Sequence, residues 1–440
     1  MASILKNAGA KAFYLAIFLN AVIDLGHKIT IQNTVFKVHD GAHQVILIAV
    51  INALILLPYI LLVVPIGQIA NRSSKPAMMK VAAWFSLGLT VVITVFYSLA
   101  WFWPAFFITL LMAVQSAFYS PAKLSYLKVL FGEERLAESN GLAQATAIAG
   151  ILLGTLIFSL GFESLYKNLP DVVAFEHAVA VKNAIAIDKN TVTAAMAPLG
   201  LGLIALAALQ VFFVYRIPQV AEVQGSKQEV AEQGLSKVER GESSVGIFSL
   251  LADARIFIPV LCLALFWSVG QGMLAAFPAF AKAHAGIENA AVIQGILASS
   301  AVGIAFGAFI VGRLSVGTIN LMLVPAGVAG LSLGLWSLTF LNSPIAFSTA
   351  YFTMGIASAM LIVPLNAYIQ QRATANTIGG VIASSNFFQN IAMLTMLGLT
   401  IAFALADFDS RYLLQMMALL TTILGSILAW LILRFERDDV

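Results

Sequence analysis

A dozen apolar runs, each about as long as a bilayer is thick, leave this chain few ways to fold. Crossing the hydrocarbon core takes about 20 apolar residues in a helix. Such runs fall near 12–36, 44–66, 77–99, 101–123, 139–162 and 196–216, and again near 255–280, 289–312, 319–341, 345–370, 377–404 and 411–434. Peptide groups in lipid have no water to bond, so each run must be a helix or belong to a closed barrel. A barrel shows short alternating segments, whereas these runs are long and continuous. Composition agrees: 60% of the 440 residues are hydrophobic and 10% are charged, against roughly 25% charged in a soluble domain. The expected fold class is an all-α polytopic membrane protein with 12 transmembrane helices.

The stretch from Pro218 to Ser244 breaks the pattern. It is rich in Gln, Glu, Ser, Lys and Gly and has little to bury, so it reads as a flexible or surface-lying linker. It divides the chain into an N-terminal six-helix half (1–217), a cytoplasmic linker (218–246) and a C-terminal six-helix half (247–440). The halves echo each other weakly. Ser120-Pro121-Ala122-Lys123 ends the fourth run, and Val363-Pro364-Leu365-Asn366 lies in the tenth. Asn140-Gly141-Leu142-Ala143-Gln144 opens the fifth run, and Asn386-Phe387-Phe388-Gln389-Asn390 lies in the eleventh. Six plus six spans around a polar linker resemble the plan of the major facilitator superfamily, whose halves are parallel repeats.

Lys and Arg in short loops set the orientation. Arg72, Lys75, Lys80, Lys128, Arg135, Arg313, Arg372, Arg434 and Arg437 all fall at alternate span ends. Those ends, the linker and both termini are expected on the cytoplasmic side. The exception is an insertion at 163–195, too polar to span. Its alternation from His177 to Asp188 predicts a small hairpin outside the membrane. Long loops translocate with little regard to charge, so the orientation stands.

Several chemistries find no support. No zinc-type, P-loop or nucleotide-binding motif occurs in the right context. The single cysteine, Cys262, excludes an intramolecular disulfide and a cysteine-cluster metal site. No cofactor, metal or nucleic-acid partner is expected, and no nucleophile–base pair points to an enzyme. Gly295, Gly303 and Gly307 follow Gly-x-x-x-Gly-like spacing, which in apolar helices reads as close packing.

The chemistry that remains is polar and inside the spans. The first run, Phe13 to Thr30, carries Asp24, His27 and Lys28 three and four residues apart, on one helix face. A lone charge at the bilayer centre costs at least roughly 2.5 kcal/mol, and such residues usually face a protein interior or a wet cavity. Two readings are open. Asp24 and Lys28 either neutralise each other within the helix or face a binding cavity. Further intramembrane polar residues are Asn20, Gln115, Lys123, Asn140, Gln144, Gln271, Asn366, Asn386, Gln389 and Asn390. By analogy with the major facilitator plan, spans one, four, seven and ten line the cavity, with five and eleven flanking it. The expected substrate-binding set is Asp24, His27, Lys28, Lys123, Asn140, Gln144, Gln271, Asn386 and Gln389.

A closer resemblance rests on particular stretches. They are Tyr119-Ser120-Pro121-Ala122-Lys123, Asn140-Gly141-Leu142-Ala143-Gln144-Ala145-Thr146 and Ile151-Leu152-Leu153-Gly154-Thr155 in the first half. In the second they are Leu265-Phe266-Trp267, Ile362-Val363-Pro364-Leu365-Asn366-Ala367 and Ala392-Met393-Leu394-Thr395-Met396-Leu397-Gly398. Together they resemble the bacterial lysophospholipid transporter (LplT) family, and the related transporter domain of acyltransferase/acyl-ACP synthetase fusions. Gly67-Gln68-Ile69-Ala70-Asn71-Arg72 is similar to the superfamily loop after span two, with Asn71 where aspartate is usual. The resemblance implies flipping of lysophospholipids from the outer to the inner leaflet of the bacterial inner membrane, with Asp24 and Lys123 handling substrate. It also implies a functional link to a separate acyltransferase/acyl-ACP synthetase, since no such domain is present here.

The chain departs from the family in five places, one of them the insertion between spans five and six, which is longer than expected. Leu25 follows Asp24 where the family has Asn, and an apolar stretch near Leu274 replaces a seventh-span arginine. Gln144 and Gln389 stand where glutamates are expected. These departures keep an alternative open: a major facilitator transporter of another amphiphile, such as a drug or siderophore. A membrane-embedded enzyme or a receptor is the third reading. For a lysolipid, Lys28 and Lys123 would meet the phosphate as point charges and Asp24 an ethanolamine ammonium. Phe266, Trp267, Met273 and Phe277 would accept the acyl chain.

Overall fold

The computed structural model describes residues 9–62, 65–66, 69, 74–131, 136–169, 188–218, 253–314, 319–372 and 378–438. They form thirteen helices. The first seven are α1 (Ala10–Val38), α2 (Gly41–Leu61), α3 (Lys75–Ser98), α4 (Phe102–Phe131), α5 (Leu136–Lys167), α6 (Lys189–Ala195) and α7 (Ala197–Tyr215). The others are α8 (Ala254–Ala285), α9 (Ala290–Leu314), α10 (Leu323–Leu338), α11 (Pro344–Arg372), α12 (Ile378–Leu405) and α13 (Ser410–Asp438). Eleven are long and apolar enough to cross a membrane. The ninth expected span is the shorter apolar helix α10, whose 16 residues rise about 24 Å. No strand occurs among the described residues. Prolines lie within several spans, including Pro58 in α2, Pro121 in α4 and Pro364 in α11. Neighbouring helices make such breaks tolerable in lipid.

The chain forms two compact units. The first is Met1–Asp40, Val50–Glu222 and Glu288–Gln294; the second is Gly41–Ala49, Val223–Ile287 and Gly295–Val440. In the first unit α1 packs on α5 and α7, while α3 packs on α4 and α7. In the second α8 packs on α12 and α13, while α10 packs on α11 and α13. The pairings correspond helix for helix, so the faint sequence echo between the halves reflects a repeated architecture.

Two close approaches depend on glycine. A side-chain carbon on Gly150 of α5 would lie 2.7 Å from the Phe18 carbonyl oxygen of α1. On Gly303 of α9 it would collide with the Phe352 carbonyl of α11. Gly307 faces the same helix, where an added side-chain carbon would lie 2.8 Å from Ala359 Cβ. Gly295 differs from the packing expectation, because a side chain there would meet nothing within 4 Å.

The polar insertion expected from residue 163 begins later than its composition suggests. Helix α5 continues to Lys167, and Glu163 is buried. Its Oε1 accepts from Lys37 Nζ at 2.9 Å, and its Oε2 accepts from the Ala290 N–H at 3.1 Å. Paired on both oxygens, the carboxylate can stay within the bundle. The hairpin expected at 177–188 lies outside the described residues except for Asp188, which caps α6 by accepting from the Asn190 N–H at 3.2 Å. The linker expected at 218–246 also lies outside them, Pro218 excepted.

Gly150→Val should force α1 from α5 and destabilise the protein by roughly 1–3 kcal/mol, as overpacking does. Gly295→Ala, with open space around it, should be neutral or stabilising by about 0.5–1 kcal/mol. Thermal unfolding of the two variants in detergent checks the contrast.

Candidate functional site

Four helices of the first unit enclose a cavity of about 250 Å³. Helix α1 contributes Asn20, Asp24, His27 and Lys28; residues four apart stack on one face. Helix α4 contributes Thr109, Met112, Ser116, Tyr119 and Lys123, a stripe repeating every three or four residues. Tyr59 of α2 and Ala147 and Ile151 of α5 complete the lining used here.

Asp24 is held by neutral donors. Asn20 Nδ2 donates to its Oδ2 at 2.9 Å, and the Ser116 hydroxyl donates to the same oxygen. Asn20 is itself fixed, its Oδ1 accepting from Gln115 Nε2 at 3.1 Å and from Gln210 Nε2 at 2.9 Å. Gln115 Nε2 also donates to the Ala82 carbonyl at 3.1 Å. Helices α1, α4 and α7 thus meet at Asn20, and α3 joins them through Gln115. No ion pair joins Asp24 to Lys28 or Lys123, so the reading in which Asp24 and Lys28 neutralise each other fails. Lys123 lines the same cavity, from α4.

Two polar groups in this lining retain bonding capacity. Asp24 Oδ1 and the Tyr119 hydroxyl have no hydrogen-bond partner among the described residues. A buried polar group left unsatisfied costs roughly 1–3 kcal/mol. With Lys28 and Lys123 on the same walls, the cavity offers a carboxylate oxygen, a phenol and two amines to a polar, charged guest.

His27 lines the same cavity, but its ring nitrogens are already engaged. It is fully buried, with Nδ1 2.9 Å from Tyr97 Oη on α3 and Nε2 3.2 Å from Thr109 Oγ1 on α4. Both ring nitrogens are engaged, so the ring braces three helices against one another and has no edge free for a guest.

The other expected residues do not gather here. The Asn140 side chain lies outside the description, and Gln144 is exposed on α5. Asn386 is exposed on α12, and Gln389 is buried there, donating to Ser385 Oγ of its own helix at 2.7 Å. Gln144, Asn386 and Gln389 line neither of the two cavities. Gln271 lines a second cavity, of about 200 Å³, inside the second unit. That cavity is apolar, with Leu265, Phe266, Trp267, Met273, Leu331 and Tyr351 in its walls. Its hydroxyl residues Ser300, Ser358 and Thr421 donate to carbonyls of their own helices at 2.7, 2.7 and 2.8 Å. Phe277 does not reach it; it is buried against Phe347 and Tyr351, with ring centroids 5.2 and 4.8 Å away.

Ser116, Tyr119, Tyr59 and Gln210 were not singled out by the sequence. A signal existed for the first two, since stepping back from Lys123 by four and seven residues along α4 reaches Tyr119 and Ser116. Tyr59 and Gln210 carried none. Among the described residues no group of three His, Cys, Asp or Glu side chains is placed to hold a metal.

A repeated bundle of membrane-length helices around a polar cavity is the architecture of a transporter. The chain belongs to the Major Facilitator Superfamily, whose sequence profile matches residues 13–396. It is similar to the lysophospholipid transporter LplT of Yersinia enterocolitica, with 28% identity over 347 residues, 78% of this chain and 74% of that protein. To LplT of Serratia proteamaculans it is 26% identical, over 78% of this chain and 75% of that one. Solved structures share the fold. A bacterial homologue of the human lysosomal transporter Spinster, inward-facing and unoccupied, superposes with a TM-score of 0.65 at 14% identity, covering 97% of both chains. A D-xylose–proton symporter gives 0.66 at 13% identity over 96% of both.

His27→Ala would strand the Tyr97 and Thr109 hydroxyls, both buried, at a cost of roughly 1–3 kcal/mol. A clear fall in the unfolding temperature of the detergent-solubilised protein is expected. An unchanged transition would remove the bracing role.

Proposed function

We propose that this chain transports lysophospholipids, moving them from the outer to the inner leaflet of the bacterial inner membrane by alternating access of its two six-helix halves. The observation that carries the proposal is the cavity of the first unit, where Asp24, Tyr119, Lys28 and Lys123 surround a space inside membrane-spanning helices. A lysophospholipid headgroup matches that chemistry. Its phosphate suits the two amines as point charges, and an ethanolamine ammonium suits Asp24 Oδ1. The apolar cavity of the second unit has the lining an acyl chain needs. The relatives named LplT support the same substrate class.

In this reading both termini and the linker are cytoplasmic, in keeping with the Lys and Arg distribution. The imported lysolipid is then re-acylated by a separate acyltransferase/acyl-ACP synthetase. The chain itself is a carrier, not an enzyme.

Purified protein in vesicles should flip labelled lysophosphatidylethanolamine faster than empty vesicles do. Transport no better than empty vesicles, under both a proton and a sodium gradient, would reject the proposal. Asp24→Ala and Lys123→Ala should each lower the rate at least tenfold while leaving folding and membrane insertion intact. Full transport by both variants would remove the site assignment.

A further inference from the structure

Outside the cavity, one cluster of cations is left without acidic company. At the start of α3 and the end of α7, Lys80 Nζ sits 4.9 Å above the Tyr215 ring, and the Arg216 guanidinium lies 4.0 Å from the Phe212 ring centroid. Trp84, one turn along from Lys80, donates its indole N–H to the Tyr215 hydroxyl at 3.1 Å. That bond ties α3 to α7 at this end. The first turn of α3 contains no acid, and among the described residues no carboxylate pairs with Lys80 or Arg216.

The surroundings have the layout of a membrane interface. Trp84 and Tyr215 are 53% and 57% exposed, and such rings settle at headgroup depth. Beside and below them Val81, Phe85 and Leu209 are exposed on the same two membrane-length helices. The ends of α9 and α13 are different. There a single arginine covers a ring four residues earlier on its own helix, Arg313 over Phe309 and Arg434 over Trp430. Among the described residues only the α3–α7 edge combines cations from two helices, a cross-helix aromatic bond and an apolar face beside it.

We propose that this edge binds one anionic phospholipid of the surrounding membrane, its phosphate between Lys80 and Arg216 and its acyl chains along α3 and α7. Charge complementarity selects the headgroup, since basic clusters beside a membrane span attract anionic lipid. The exposed apolar face selects a lipid over a free phosphate. This lipid is a resident of the edge and is separate from cargo in the cavity.

Native mass spectrometry of the delipidated full chain, titrated with phosphatidylglycerol and with phosphatidylethanolamine, tests the inference. The unaltered protein should bind its first phosphatidylglycerol at least threefold more tightly. Lys80→Gln with Arg216→Gln should abolish the preference, and each single change should reduce it, so the result does not hang on one variant. Arg313→Gln with Arg434→Gln, which removes the same charge elsewhere, should leave it intact. Absence of a preference in the unaltered protein would overturn the proposal, as would an equal loss in the Arg313/Arg434 variant. A preference lost in Lys123→Gln but kept in the Lys80/Arg216 variant would place the lipid in the cavity, and would also overturn it.

Discussion

The arrangement depends on how a carboxylate is kept inside a membrane-spanning bundle. A charge there costs several kcal/mol unless polar groups replace its water. Asp24 receives Asn20 and Ser116 on one oxygen, and Asn20 is held by Gln115 and Gln210. A neutral framework has a consequence that an ion pair would not. It fixes the carboxylate without cancelling its charge, so Asp24 can still act on whatever enters beside its other oxygen. Because the donors come from separate helices, the same bonds set where α1 stands against α4 and α7.

Further along α1 the pattern repeats with other chemistry. His27 meets Tyr97 and Thr109, Gln32 donates to Asn52 at 3.3 Å, and Lys37 reaches Glu163. Asn33 accepts from Gln294 Nε2 at 3.2 Å. A helix this polar could not face lipid tails, and α1 is mostly buried along its length. Apolar contacts alone do not fix the rotation of a helix among lipids and other apolar helices. Directional bonds at several levels do, and on α1 they aim Asp24 and Lys28 into the cavity.

Much of this was legible in the chain, for physical reasons. A bilayer-length apolar run leaves little choice of secondary structure, so the spans followed from hydrophobicity, while the repeated plan needed the polar linker and the echoed motifs as well. Asp24, Lys28 and Lys123 stood out because charge in such a run demands a protein or wet environment. What eluded the sequence was the partner of each polar group. His27 looks like a neighbour of Asp24 in helical spacing, yet its nitrogens are taken by residues 70 and 82 positions away in the chain. Gln144, Asn386 and Gln389 resemble cavity residues by span number but are not in the lining of either cavity, and apolar flanks on every side conceal which way a polar residue on such a helix faces. Tyr119 and Ser116 are ordinary residues whose part comes only from facing Asp24. Gly295 shares its helix with Gly303 and Gly307 but has no neighbour close enough to need a glycine.

The two units show how one duplicated scaffold separates two chemistries. Their helices pair in corresponding ways, and each encloses a cavity of similar size. In the first, long polar side chains bond between helices and leave a carboxylate oxygen and a phenol open. In the second, Ser300, Ser358 and Thr421 turn their hydroxyls onto their own helix carbonyls, and only the Tyr351 phenol is left open among the hydroxyls of the described lining, with no charged group beside it. A hydroxyl satisfied within its helix presents mainly carbon to the cavity, so these residues do not make the lining hydrophilic. The difference therefore lies less in polar residues being present than in whether their bonds close within one helix or reach across to another.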